Sequence, residues 1–363
     1  MTTLRTPLCE LLGIEYPIVQ APMAGATTVD LVVAACEAGI LGGLGHAYTE
    51  PEAMREEARA VRARSGRAFG INLFAAPTPG EPPIEQQREA IEAMRGHFAH
   101  LGLPLPERVA PPYAPDRARQ IEAVCAIAPR VFTGHLGDLT PEAIGQLRAA
   151  RVRIGASATS VQEARHLEAL GVDFIVAQGM EAGGHRGTFL HKPEHVMTGT
   201  LSLVRLVAQA VRVPVVAAGG IMDGAGIAAV LALGAQAAQV GTAFLLCPES
   251  GASEAHRKAI ENMDGDETAI TRAFTGKPAR GVRNLFIDEG ERANVPFLPF
   301  PVQHKLTAPI RAASAKAGSP DRIAGWAGQA GSLARRLPAR DLVRALVEEA
   351  CEAIERLRQL ATP

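Results

Sequence analysis

The sequence is short of several things that would point elsewhere. Its 363 residues include one Trp and three Tyr, too few rings for a stacking platform on single-stranded nucleic acid. The 37 Lys and Arg are balanced by 38 Asp and Glu, for a net charge of −1, so no polyanion partner is suggested. The five cysteines, Cys9, Cys36, Cys125, Cys247 and Cys351, are far apart and form no C-x-x-C. That argues against a zinc site or a disulfide framework and predicts a reducing compartment. No uninterrupted apolar run approaches the ~18 residues of a membrane span. The opening Met-Thr-Thr-Leu-Arg-Thr-Pro carries no apolar signal segment. The expectation is a cytoplasmic protein, monomer or homodimer, with no nucleic-acid or membrane partner.

What is present is a set of eight short apolar runs. They begin near Ile18, Gly39, Phe69, Val131, Val152, Asp173, Pro214 and Ala237. None alternates cleanly between apolar and polar, as expected for parallel strands buried on both faces. Helix signals lie between them. Thr28, Thr140, Ser160 with Glu163, and Asp223 read as N-caps, as does Thr49 with Glu52, and Gly39, Gly66, Gly171 and Gly234 read as stops. The strand starts are 21, 30, 62, 21, 21, 41 and 23 residues apart, and the repeated step of about 21 is one compact strand-loop-helix unit. This predicts an α/β fold, a (β/α)8 TIM barrel. A doubly wound sheet would carry G-x-G-x-x-G after its first strand, where this chain has Gln20-Ala21-Pro22-Met23-Ala24-Gly25. The expected division is a barrel over 1–75 and 131–250, a Pro-rich insertion over 76–130 with one helical segment near 84–100, and an extension over 251–363. The extension reads as a helix near 252–262, an irregular stretch to about 308, and helices near 307–317 and 339–360.

Ligands bind a barrel at the C-terminal ends of its strands. Read in turn, those ends give Ala21, Pro22 and Met23; Gly43, Gly45 and His46; Asn72; His135; Ser157; Gln178; Gly219 and Gly220; and Gln239, Gly241 and Thr242. After Gln178 comes a glycine-rich loop with Glu181, Gly183, Gly184, His185 and Arg186. Carboxylates are nearly absent, which argues against a divalent metal and a two-carboxylate glycosidase. No lysine ends a strand, which argues against a Schiff-base aldolase. Glycine turns after the last two strands are the usual barrel phosphate site. Amides at Asn72 and Gln178 suit the edge of a planar ring. A phosphate at one end and a ring at the other describe FMN.

The stretches QGMEAGGH (178–185), QAPM (20–23), AGGI (218–221) and QVGT (239–242), with the late WAGQ (326–329) and LAR (333–335), together resemble the nitronate monooxygenase family, formerly 2-nitropropane dioxygenase. The resemblance implies non-covalent FMN in a (β/α)8 barrel, and oxidation of alkyl nitronates such as propionate 3-nitronate by O2 to carbonyl compounds and nitrite. It implies FMN contacts at Ala21, Pro22, Met23, Asn72, Gln178, Gly183, Gly184, Gly219, Gly220, Gln239, Val240, Gly241 and Thr242, with no metal. His185 becomes the active-site histidine, either protonated to hold an anionic nitronate or neutral to deprotonate a nitroalkane. His135 is a second candidate. The residue before it is Gly134, where the family often has a bulky one, and this predicts a wider pocket. His97, His100, His166, His191, His195, His256 and His304 show no ligand spacing and are expected at the surface. Thr275–Gly281 reads as a turn or as a lid over the flavin. The alternatives are an FMN-dependent enoyl-acyl-carrier-protein or quinone reductase using NAD(P)H, a flavin-free barrel isomerase or lyase, and a non-catalytic flavin-binding scaffold.

Overall fold

The structure, a computed structural model, describes residues 4–265, 267–292 and 296–360. Eight parallel strands form one sheet: β1 (Ile18–Gln20), β2 (Gly42–Gly45), β3 (Phe69–Phe74), β4 (Val131–His135), β5 (Arg153–Ala158), β6 (Phe174–Gln178), β8 (Val215–Ala218) and β9 (Ala237–Val240). A two-residue strand, β7 (Gly184–His185), leaves this sheet to join an antiparallel pair, β10 (Thr268–Thr271) and β11 (Ala279–Val282). The large sheet runs β1-β9-β8-β6-β5-β4-β3-β2. A parallel bridge from Val19 to Leu41 joins its two ends, closing the barrel expected from the spacing. All eight expected strands are there.

The strands hold because almost every side chain on them is buried. β6 and β8 are buried throughout, so both faces need apolar residues, and the continuous runs supply them. The bottom of the barrel is plugged by a helix the sequence did not announce, Pro7–Leu12. Its Leu8 and Leu12 pack with Val131, Phe174, Val176 and Val216.

Most expected caps form. Thr28, Thr140, Ser160 and Asp223 each accept the backbone N–H three residues on. The Thr49–Glu52 box does not: Glu50 holds the cap position of helix Pro51–Arg64 and its side chain makes no cap bond, while the Thr49 carbonyl accepts from Gln120 Nε2. In the second box Glu163 turns back to the Thr159 amide rather than that of Ser160, and its other oxygen takes the amides of Phe189 and Leu190. One buried carboxylate thus anchors the loop that follows His185.

Two helices from the insertion and from the extension expected to pack on the barrel lie in its outer ring. Helix Arg117–Ile127 packs between helices Pro51–Arg64 and Pro141–Ala149. The last helix, Ala339–Leu360, lies against Gly224–Ala232 and Val29–Glu37. The stretch read as irregular also has structure: β10, β11 and helix Leu285–Arg292, followed by Val302–Lys316. The insertion helices Ile84–Ala93 and Arg95–His100 meet this region in a second core of Met94, Phe98, Phe274, Phe286, Leu298 and Val302. Phe274 and Phe286 stack at 4.6 Å. Each buried Phe contributes roughly 1.5–3 kcal/mol, enough to hold a cap over the barrel mouth.

Candidate active site

Between the strand ends and this cap lies a cavity of about 820 Å³, within the range of a cofactor pocket. Of the residues expected to bind or react, all but Val240 line it. The Val240 side chain is wholly buried in the barrel core. Its carbonyl accepts from the Ala21 amide at 2.8 Å, so it positions the first strand end rather than facing the cavity.

One end of the cavity is made of backbone. Gly219 has φ +119° and Gly220 φ +70°, and a Cβ on Gly219 would lie 2.8 Å from Thr200 Oγ1. The amides of Gly219, Gly220, Ile221, Gly241 and Thr242 donate to no group among the described residues. The neighbouring helix ends are taken. Glu181 caps Thr200–Ala210 through the Thr200 amide at 2.8 Å and the Thr200 hydroxyl. Asp223 and Glu349 take the first amides of Gly224–Ala232. What remains is a nest of N–H groups in the two loops, suited to a phosphate. Asn72 Nδ2 donates to the Thr133 carbonyl and hydroxyl, both at 2.9 Å, which leaves Oδ1 for a ring edge. The Gln239 amide lines the cavity without a partner among the described residues. Gln178 is largely spent on its own loop: it donates to the His185 carbonyl at 2.9 Å and accepts from Gly187 N at 2.7 Å. This donor set and glycine floor fit FMN.

The other end is made of side chains. His185 sits on β7, held by β11 through the Ala279 pairing. Its Nε2 lies 3.0 Å from Thr275 Oγ1, and that hydroxyl donates to the Lys277 carbonyl at 3.1 Å. The network therefore assigns the proton to His185 Nε2 and leaves Nδ1 bare. Phe74, Phe300 and Trp326 surround the ring at centroid distances of 5.4, 5.6 and 5.6 Å. Burial, then the neighbouring His135, His304, Lys277 and Arg311, push its pKa well below 6.5. His185 is thus neutral at pH 7. The 275–281 segment is the turn between β10 and β11 together with β11 itself, and it braces the histidine.

His135 donates from Nε2 to the His185 carbonyl at 3.1 Å. Burial lowers its pKa to about 4. A Cβ on Gly187 would touch its ring at 2.9 Å. Gly134 does not widen the pocket, because its Cβ direction points at Leu139, 3.1 Å away; strand alternation turns Thr133 and His135 inward instead.

Several residues at this end escaped the sequence reading. His304 and His256, expected at the surface, line the cavity, and His97 is buried in the cap. His304 stacks on Tyr48 at 4.0 Å, and His256 Nε2 meets the Trp326 carbonyl at 3.1 Å. Tyr48, Phe74, Phe300 and Arg311 were not singled out. The scarcity of rings was itself a signal: the single Trp and one of three Tyr stand here. Among the described residues, no group of three or more His, Cys, Asp or Glu is placed to hold a metal, and no helix is long and apolar enough to cross a membrane.

A closed barrel with a phosphate nest after its last strands and a buried histidine over its mouth defines a flavin-type oxidoreductase. The nitronate monooxygenase family profile matches residues 5–349. A nitronate monooxygenase from Paraburkholderia phytofirmans is 41% identical over 361 residues, 98% of each chain. One from Pseudomonas aeruginosa is 40% identical over 342 residues, covering 93% of this chain and 97% of that one. The crystal structure of a nitroalkane oxidase from Streptomyces ansochromogenes superposes with a TM-score of 0.87 at 38% identity, over 97% of this chain and all of the other. FabK from Thermotoga maritima gives 0.77 at 28% identity, over 99% and 100%. The chain belongs to the nitronate monooxygenase family, whose members are FMN-dependent enzymes.

Proposed function

We propose that this protein oxidises alkyl nitronates, among them propionate 3-nitronate, and their parent nitroalkanes with O2, giving carbonyl compounds and nitrite. The observation that carries this is a neutral His185 with a bare Nδ1 in the same cavity as a nest of backbone amides that donate to no group among the described residues. Bound FMN, held by the Gly219–Ile221 and Gly241–Thr242 amides with Asn72 and Gln239 at its ring edge, supplies the electron-accepting chemistry. His185 takes the acidic Cα proton of a nitroalkane at Nδ1 while Thr275 holds Nε2–H. A nitronate arrives without that proton and needs only to be oriented. His135 is a positioning residue: its N–H fixes the carbonyl beneath His185. Phe74, Phe300 and Trp326 keep water from the reacting carbon. The strand ends within 1–75 and 131–250 supply the cofactor side, and helices Ile84–Ala93, Arg95–His100, Leu285–Arg292 and Val302–Lys316 with β10 and β11 supply the cap. The scattered cysteines support a cytoplasmic setting.

The test is anaerobic mixing of the FMN-loaded protein with propionate 3-nitronate or with NADPH, reading the flavin absorbance. The nitronate is expected to bleach it and NADPH to leave it unchanged. Bleaching by NADPH alone would transfer the protein to the enoyl or quinone reductases.

A further inference from the structure

A buried arginine, Arg186, and a half-buried one, Arg311, sit near the site, and they are provided for very differently. Arg186 spends Nη1 on the Gln178 and Gly179 carbonyls and Nη2 on that of Val196, with Glu163 and Glu181 in electrostatic reach. Arg311, on helix Val302–Lys316, lines the cavity. Its Nη2 meets the His304 carbonyl at 2.8 Å and the His304 ring, and its Nε meets Thr307 Oγ1 at 3.3 Å. Nη1 has no partner, and no carboxylate pairs with this guanidinium among the described residues. The Tyr48 hydroxyl, within reach of the Arg311 charge, is buried and also without a partner. A desolvated cation with donors to spare is costly unless something anionic meets it. His304 cannot share the load as a second charge, because burial and the adjacent Arg311 hold it neutral, with a pKa of about 3.

Resting on the nitronate reading above, we infer that Arg311, with Tyr48 beside it, is a specificity subsite for a carboxylate on the substrate's tail. His185 faces the reacting end, and Arg311 takes the far end through its planar fork, which matches a carboxylate. The subsite selects nitronates that carry a second negative charge over those with an alkyl tail. The amide nest after β8 and β9 is left to the cofactor.

The experiment compares propionate 3-nitronate with propyl-1-nitronate, the same three carbons without the carboxylate, on FMN-loaded wild type, Arg311→Met, Arg311→Lys and Tyr48→Phe. Wild type is expected to prefer the carboxylate-bearing substrate by at least ~10-fold in kcat/KM, and Arg311→Met to cut that preference to ~3-fold or less, chiefly through KM. Arg311→Lys should recover part of the preference, as a point charge without the fork. Tyr48→Phe, which keeps the guanidinium, should lower it by ~2–5-fold and carries the test if Arg311→Met does not fold. A preference that survives Arg311→Met, or survives Tyr48→Phe in that case, overturns the subsite. So does loss of FMN from Arg311→Met and Arg311→Lys, which would give the guanidinium to the cofactor. Wild type that oxidises both nitronates equally refutes the subsite alone, whereas wild type that oxidises neither refutes the function on which it rests.

Discussion

The two ends of the cavity are built by opposite means. The cradle end is backbone: glycines at 219, 220 and 241, with free N–H groups and almost no titratable side chain. The cap end is side chains: His185, His304, Arg311 and the rings of Tyr48, Phe74 and Trp326, with Phe300 packed behind them. Backbone donors serve a ligand shared by a whole family of barrels, because they need only turn geometry. Side chains on an added core can differ from one family to the next. The contrast assigns the proposed cofactor and substrate contacts to parts of the chain that can vary separately.

Breaking the cap end at its centre should have the largest effect. His185→Asn should retain FMN and lower kcat on nitroethane by ~10²–10⁴-fold, with a smaller fall on ethyl nitronate, where no proton is removed. Steady-state oxygen consumption reads both, and equal losses would contradict the base role. Breaking the cradle comes next. Gly219→Val forces a branched side chain onto Thr200 Oγ1 at positive φ, a strain of ~1–3 kcal/mol, and should weaken FMN binding by ~10–100-fold by flavin fluorescence. Thr275→Val leaves the cradle intact and frees the His185 tautomer. A drop of ~10-fold in nitroalkane kcat at unchanged FMN affinity is expected, as for other positioning groups; an unchanged kcat would mean that Thr275 does not set the His185 tautomer.

A last prediction concerns stability. Burial lowers the pKa of His135 and His256 to about 4 and of His304 to about 3. These histidines gain protons on unfolding between pH 6.5 and those values. Stability is therefore complete above pH 6.5 and declines as pH falls, by up to ~1.4 kcal/mol per pH unit for each histidine. Thermal melts should give a lower Tm at pH 5 than at pH 7.5, and equal values would mean that these rings are solvated.

The same contrast explains what could be read from the sequence. The strands were legible because both-face burial demands unbroken apolar runs, and the cradle because its glycines fall within a few residues of strand ends. The cap was not. Phe98, Phe274 and Phe286 are more than 170 residues apart at the extremes, and nothing local tells that they share a core. His304 and His256 looked like surface residues because the reading weighed metal-ligand spacing, whereas their burial is set by Tyr48 and Trp326 from other elements. Gln178 lines the cavity, but its amide is taken up by its own loop, through the His185 carbonyl and the Gly187 N–H. Val240 was carried in by its motif, while strand alternation turns it into the core.

The proposed base role requires that the cap hold His185 neutral, with its proton on Nε2 and Nδ1 bare. Nitrogen NMR of the ¹⁵N-histidine-labelled, FMN-loaded protein, assigned by the His185→Asn variant, tests it directly. A neutral Nε2–H tautomer for His185 at pH 7 that persists to pH 5.5 is expected; an imidazolium at pH 7, or a proton on Nδ1, would rule that role out.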